Sequence, residues 1–263
     1  MRNLTKTFLG AASLLAMFAG GAHAQEGGLL GPDVAITGAV AVQSDYRFRG
    51  IAQNAKEVSP EATLNILGPE GFYAGTWVAK TNWGALRPSG GSNNPSYETD
   101  FYFGKHTSIL DSDLNIEGYY YAYPDFNVGG GPDASFFEII TQLSHTFGPV
   151  SATATWAYSP EFALGGGNGN YLAGNLTIPV NDWLSVSGNL GHQWVQAAKF
   201  FGSSDYTHGD IGATLTYKSL SLDLRYVSTD LGAAKCGFYM GTTNACSGGF
   251  TALFSYNVAS WPW

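Results

Sequence analysis

The 263-residue chain carries 20 acidic against 12 basic side chains, a net charge of −8, which argues against a nucleic-acid partner. Only 12% of its residues are charged, against about 25% in an average soluble domain, while 14% are aromatic and 35 are glycine. Few charges, many aromatics and period-two alternation suit a strand lattice with lipid on one side and water on the other.

Arg2 and Lys6 precede an apolar run over residues 8–20, and Ala22 and Ala24 put small side chains at a cleavage position. This order predicts a secretory signal peptide at 1–24, removed before Gln25, and a single domain over 25–263. No later run reaches 18 apolar residues, so no transmembrane helix is expected.

Twelve strands are predicted. The first spans 34–49, with Val34, Ile36, Val40, Val42, Tyr46 and Phe48 on one phase and Thr37, Gln43, Asp45, Arg47 and Arg49 on the other. Residues 61–80 form a hairpin through Gly68-Pro69-Glu70-Gly71, where proline fixes φ and glycine accepts the bend. Ala62, Leu64 and Ile66 oppose Glu61, Thr63 and Asn65; Tyr73, Gly75, Trp77 and Ala79 oppose Thr76 and Lys80. Further strands follow at 97–106, 114–123, 135–147, 150–158, 171–180, 183–195, 209–217, 220–229 and 250–258.

The connections alternate in length. Turns after even-numbered strands take about two to five residues, whereas most links after odd ones are long and rich in Gly, Asn and Pro: 84–96, 125–134, 160–170, 196–208 and 230–249. Short turns at one end, long loops at the other and an even strand count predict an all-β transmembrane antiparallel barrel, with short periplasmic turns and long extracellular loops. A closed barrel is the β-structure that satisfies its own backbone in lipid. Cys236 and Cys246, ten apart near the end of an exported chain, predict a local disulfide. No histidine stands at ligand spacing from either, so neither a zinc site nor another cofactor is expected.

Two stretches, SDYRFRGI at 44–51 and GFYAGTW at 71–77, resemble the N-terminal signatures of the TorF-family porins of proteobacterial outer membranes. The similarity continues through 97–104, 116–124 and 220–230. It implies an outer-membrane barrel with a pore function, inserted by the barrel-assembly machinery, and names no substrate. The C-terminus departs from the pattern. Barrels of this kind end on a strand with a terminal aromatic residue, whereas here the strand stops near Val258 and Pro262, which cannot donate to a ladder, precedes Trp263.

With the apolar phase toward lipid, the lumen would be lined by Asp45, Arg47, Arg49, Glu61, Lys80, Glu98, Asp100, Glu117, Glu138, Asp210, Asp223 and Arg225. Eight acids against four bases predict passive diffusion of small polar or charged solutes with a mild cation preference. The opposing reading is that these charges pair across a narrow lumen and close it. Arg47 and Arg49, on one face of one strand, could instead hold an anion. Tyr119, Tyr121 and Tyr123 share a phase and could form a sugar-stacking track. A non-conducting barrel that binds or adheres through its outer loops is the alternative function. An enzyme is not expected, because Ser144 and His145 are adjacent on a strand and point to opposite faces.

Overall fold

Side-chain alternation and tight turns set the architecture of the computed structural model, which describes residues 34–83, 94–126, 131, 133–196, 204–240 and 242–258. The predicted signal segment, residues 84–93 and the terminal 259–263 lie outside the described residues. β1 (Ala35–Gln43) is followed by a small hairpin, β2 (Arg47–Phe48) and β3 (Ile51–Ala52). Then come β4 (Ser59–Leu67), β5 (Phe72–Lys80), β6 (Tyr97–Ile109), β7 (Ser112–Ala122), β8 (Phe136–Phe147), β9 (Val150–Phe162) and β10 (Gly167–Asn181). β11 (Leu184–Val195), β12 (Tyr206–Tyr217) and β13 (Leu220–Thr229) lead through one short helix, α1 (Ala233–Met240), to β14 (Gly249–Val258).

All strands except β2 and β3 form one closed twelve-stranded barrel in which each strand pairs antiparallel with its sequence neighbours. β1 closes the ring on β14 with Val40 opposite Tyr256, so the barrel has no free edge. The predicted strand number and meander therefore hold. The turns at 68–71, 110–111, 148–149, 182–183 and 218–219 share one end with the start of β1 and the end of β14. In the first of them Gly71 has φ +79°, and a Cβ there would sit 2.0 Å from the His106 carbonyl oxygen. Only glycine meets both conditions.

Outward side chains are apolar and exposed: Val40, Leu64, Phe101, Phe103, Leu172 and Phe254 belong to a continuous belt. Buried inward positions are largely polar or aromatic, the inverse of a soluble barrel.

Three expectations need correction. The first strand ends at Gln43, not at 49, and the chain then turns into the barrel. The link at 160–170 is mostly strand: β9 continues to Phe162 and β10 begins at Gly167, so the predicted Gly/Asn-rich exposed loop shrinks to 163–166. Lys80 does not line the lumen. Glu61 registers with Ala79, which puts Ala79, Trp77 and Tyr73 on the inner face and Lys80 on the outer one. Lys80 sits at the rim, 3.5 Å from Glu57.

The belt is testable by placing a charge on it. Phe103→Arg, at the middle of β6, is expected to destabilise the barrel by about 2–4 kcal/mol in lipid vesicles. Lys80→Ala should change stability by less than about 0.5 kcal/mol, both read from urea unfolding midpoints.

Candidate functional site

After β1, Ser44 ties the strand end to β14: its backbone N–H donates to the Ala252 carbonyl, and its hydroxyl accepts from the Ala252 N–H. The following residues fold inward as the β2–β3 hairpin, with Arg47 opposite Ala52 and Phe48 opposite Ile51. Its two turn residues, Arg49 and Gly50, have φ of +46° and +86°. Two successive left-handed residues make the mirror-image turn that a two-residue hairpin needs. A Cβ on Gly50 would lie 2.7 Å from His208 Cβ and Thr229 Cγ2, so the tip fits tightly against β12 and β13.

The tip delivers the Arg49 guanidinium to the opposite wall. Nη1 and Nη2 donate to the two carboxylate oxygens of Glu138 on β8 at 3.0 and 2.5 Å, and Nη1 also donates to Gln193 Oε1 on β11 at 2.5 Å. The guanidinium carbon lies 4.0 Å from the Tyr171 ring centroid and 4.7 Å from that of Phe48. This is a bidentate, charge-assisted pair with aromatic faces around it, a geometry suited to arginine. Both partners are buried.

Arg47 faces the other way. Its Nε donates to Asp45 at 2.8 Å, and Nη1 donates to the carbonyls of Gly50 and Ser247. Burial lifts the Asp45 carboxyl above its ordinary range, and Arg47 offsets only part of this. The two arginines thus bind separate carboxylates and do not form the anion site that a shared strand face suggested.

Residues 230–240 and 242–248 cover the hairpin. Cys236 and Cys246 are disulfide-bonded, and with Met240 and Ala245 they are buried. The Ala52 N–H donates to the Ala245 carbonyl, Thr229 Oγ1 to the Cys246 carbonyl, and Lys56 Nζ to Ser247 Oγ. The mouth at the long-loop end therefore consists of an inserted hairpin under a stapled cap.

The remaining predicted acids divide between two walls. On β12 and β13, Arg225 pairs with Asp210 and, at 3.0 Å, with Asp223, and donates to Ser187. On β4, β6 and β7, Glu61, Glu98, Asp100 and Glu117 have no basic partner among the described residues. They accept instead from neutral donors: Trp77 to Glu61, Tyr46 to Glu98 at 3.1 Å, Tyr119 to Asp100 at 2.9 Å and Tyr73 to Glu117 at 2.7 Å. Among the described residues no group of His, Cys, Asp and Glu is arranged to hold a metal.

The tyrosine row serves the same wall. Tyr102 stacks on Tyr119 at 5.2 Å and 9°, and Tyr121 on Phe136 at 4.3 Å and 10°, while Phe48 of the hairpin abuts Tyr121 and Phe136 edge-on. Faces used against each other are withdrawn from a sugar, so the row packs the lumen wall. Toward the turn end several buried inner side chains are neutral and small, among them Asn65, Asn175, Thr177, Ser185 and Ser255. Ser144 and His145 do diverge. Ser144 meets Thr153 at 2.9 Å, and His145 Nδ1 meets Ser112 Oγ at 3.0 Å near the turn end.

Sequence reasoning missed the inserted hairpin, Gln193, Tyr171 and His208. One available signal was Arg49-Gly50, a turn dipeptide inside an alternating run.

These features define a transmembrane-type twelve-stranded β-barrel whose polar interior receives an inserted hairpin at its long-loop end. The chain belongs to the bacterial family of unknown function Gcw_chp, whose family model matches residues 30–252. No curated protein matches its sequence. Among solved structures it is similar to KdgM porin, at 8% identity and TM-score 0.52 over 84% of this chain and 98% of that one. It also matches KdgM porin in complex with disordered oligogalacturonate, at 6% identity and TM-score 0.48 over 85% and 96% of the two chains. A third match is LpxR from Salmonella typhimurium, at 8% identity and TM-score 0.43 over 84% and 99%.

A double-mutant cycle measures the latch. Arg49→Ala and Glu138→Ala should each destabilise, by up to about 3–5 kcal/mol, because each leaves a charge buried without its partner. The double variant should fall short of their sum by about 1–3 kcal/mol in urea unfolding.

Proposed function

We propose that the protein is an outer-membrane channel for small polar solutes with a preference for cations, held in a low-conductance state by its first outer hairpin. The observation that carries this reading is the wall of four carboxylates on β4, β6 and β7, to which no basic side chain among the described residues is paired. A barrel that needed only to be filled would be more stable with apolar side chains at such positions. All eight predicted acids line the interior against three guanidinium groups, since Lys80 faces out. Where these acids are ionised, that imbalance raises local cation concentration.

The outward apolar belt, the predicted export segment and the resemblance of residues 44–51 and 71–77 to TorF-family porins support an outer-membrane location with the long loops outside. Outer-membrane lipids, small polar solutes and the barrel-assembly machinery are its proposed partners. The occluded mouth favours a second reading, a non-conducting barrel whose disulfide-stapled cap binds external ligands.

Conductance separates the two. The refolded mature chain in a planar bilayer under a potassium chloride gradient should give small steps with a cation-side reversal potential. Arg49→Ala should enlarge the steps and deepen the cation bias, since it removes both the latch and a positive charge. A folded barrel silent in both forms would overturn the channel reading in favour of the binding one.

A further inference from the structure

The residues that hold Arg49 form a receptor that does not depend on Arg49. Gln193 is oriented by the wall alone: its Nε2 donates at 3.1 Å to the carbonyls of Asn170 and Trp194, which turns Oε1 toward the lumen. Glu138 accepts a further hydrogen bond at 3.2 Å from Tyr121 of the neighbouring strand. Tyr171 is fixed by the 2.9 Å contact of its hydroxyl with His208 Nε2 and by stacking on that ring at 10°. Carboxylate fork, carbonyl acceptor and aromatic face thus come from β8, β11 and β10. Their positions are set by contacts with β7, β12 and the barrel backbone. Only Phe48, on the far side, arrives with the hairpin.

We propose that this wall site is a binding site for guanidinium-bearing solutes, and that Arg49 occupies it as a tethered occupant a free solute must displace. A planar cation with parallel N–H donors matches the two oxygens of Glu138, and its face matches Tyr171. An alkylammonium offers neither the fork nor the plane, and a neutral urea lacks the charge. A preorganised site of this kind loses little on binding its ligand. The hairpin that fills it is also held at its base, by Arg47 on the Ser247 carbonyl and Ala52 on the Ala245 carbonyl, so displacing the Arg49 side chain does not require releasing the whole hairpin. As a statement about permeating solutes this rests on the channel reading; as a statement about binding it stands on the wall residues alone.

Chemical rescue tests it. The full mature chain carrying Arg49→Ala, refolded in detergent, is titrated with ethylguanidinium, ethylammonium and ethylurea, read by calorimetry and by the thermal unfolding midpoint. Ethylguanidinium should bind saturably, at least about tenfold tighter than either analogue, and should raise the midpoint of Arg49→Ala but not of the wild type. The effect should vanish in Arg49→Ala/Glu138→Gln. If Arg49→Ala refolds poorly, selective recovery of folded, heat-modifiable protein by ethylguanidinium supports the site equally, and Arg49→Gln provides a second background. Equal responses to all three compounds, or an unchanged response in the double variant, would overturn it. Binding without conductance would sink the channel reading and leave the receptor standing. Conductance without selective binding would do the reverse.

Discussion

Closure of the sheet is the constraint on which everything else depends. In hydrocarbon an unpaired backbone group finds no water, so the ladder must return from β14 to β1. Once it does, every strand has an outer and an inner face at a strict period of two. The outer face can be apolar without penalty. The inner face of a twelve-stranded ring is too wide to be filled by one layer of aliphatic side chains and is polar over much of its surface. Polar groups buried there must then find partners, and the tyrosine–carboxylate pairs across β5, β6 and β7 are one solution to that demand.

The inserted hairpin is another. It brings acceptors, donors and ring faces to an interior that the strands alone would leave partly open. Tyr46 caps Glu98, and Phe48 abuts Tyr121 and Phe136. Arg49 joins β8 to β11 across the mouth. Its left-handed backbone carries a strain of roughly 1–2 kcal/mol, tolerated because the turn, the tight fit of Gly50 and the Glu138 fork all require that geometry.

Most of the barrel was legible in the sequence, because a period of two cannot be mistaken over ten residues and the turns are short and typical. Two errors came from reading faces by polarity alone. On β5 the inner face carries Tyr73, Trp77 and Ala79, aromatic or small, so Lys80 looked like the polar phase; cross-strand register with Glu61 decides the matter, and register is not local information. At the first outer link Tyr46 and Phe48 prolong the alternation of β1, so the strand seemed to continue through Arg49. The reversal at Arg49–Gly50 and its landing point on Glu138 and Gln193, 89 and 144 residues away, depend on closure of the whole ring. The site was therefore visible as a set of charges and invisible as a set of pairs.

The pairing pattern suits the proposed channel. Buried ion pairs are often close to neutral in net stability, since desolvation offsets most of the Coulombic attraction, while loss of one partner is severe. A latch made from such a pair is specific in where it closes without being strong in how it holds. In the proposed channel, withdrawal of the tip would give Glu138 water or a new cation and return Arg49 to solvent, so opening would strand neither charge. An apolar plug of equal size would have no such exchange available. Its withdrawal would expose hydrophobic surface on both sides and hold the barrel shut. In the proposed channel, arginine on the hairpin and carboxylate on the wall would let the mouth be closed and still be opened by an ion.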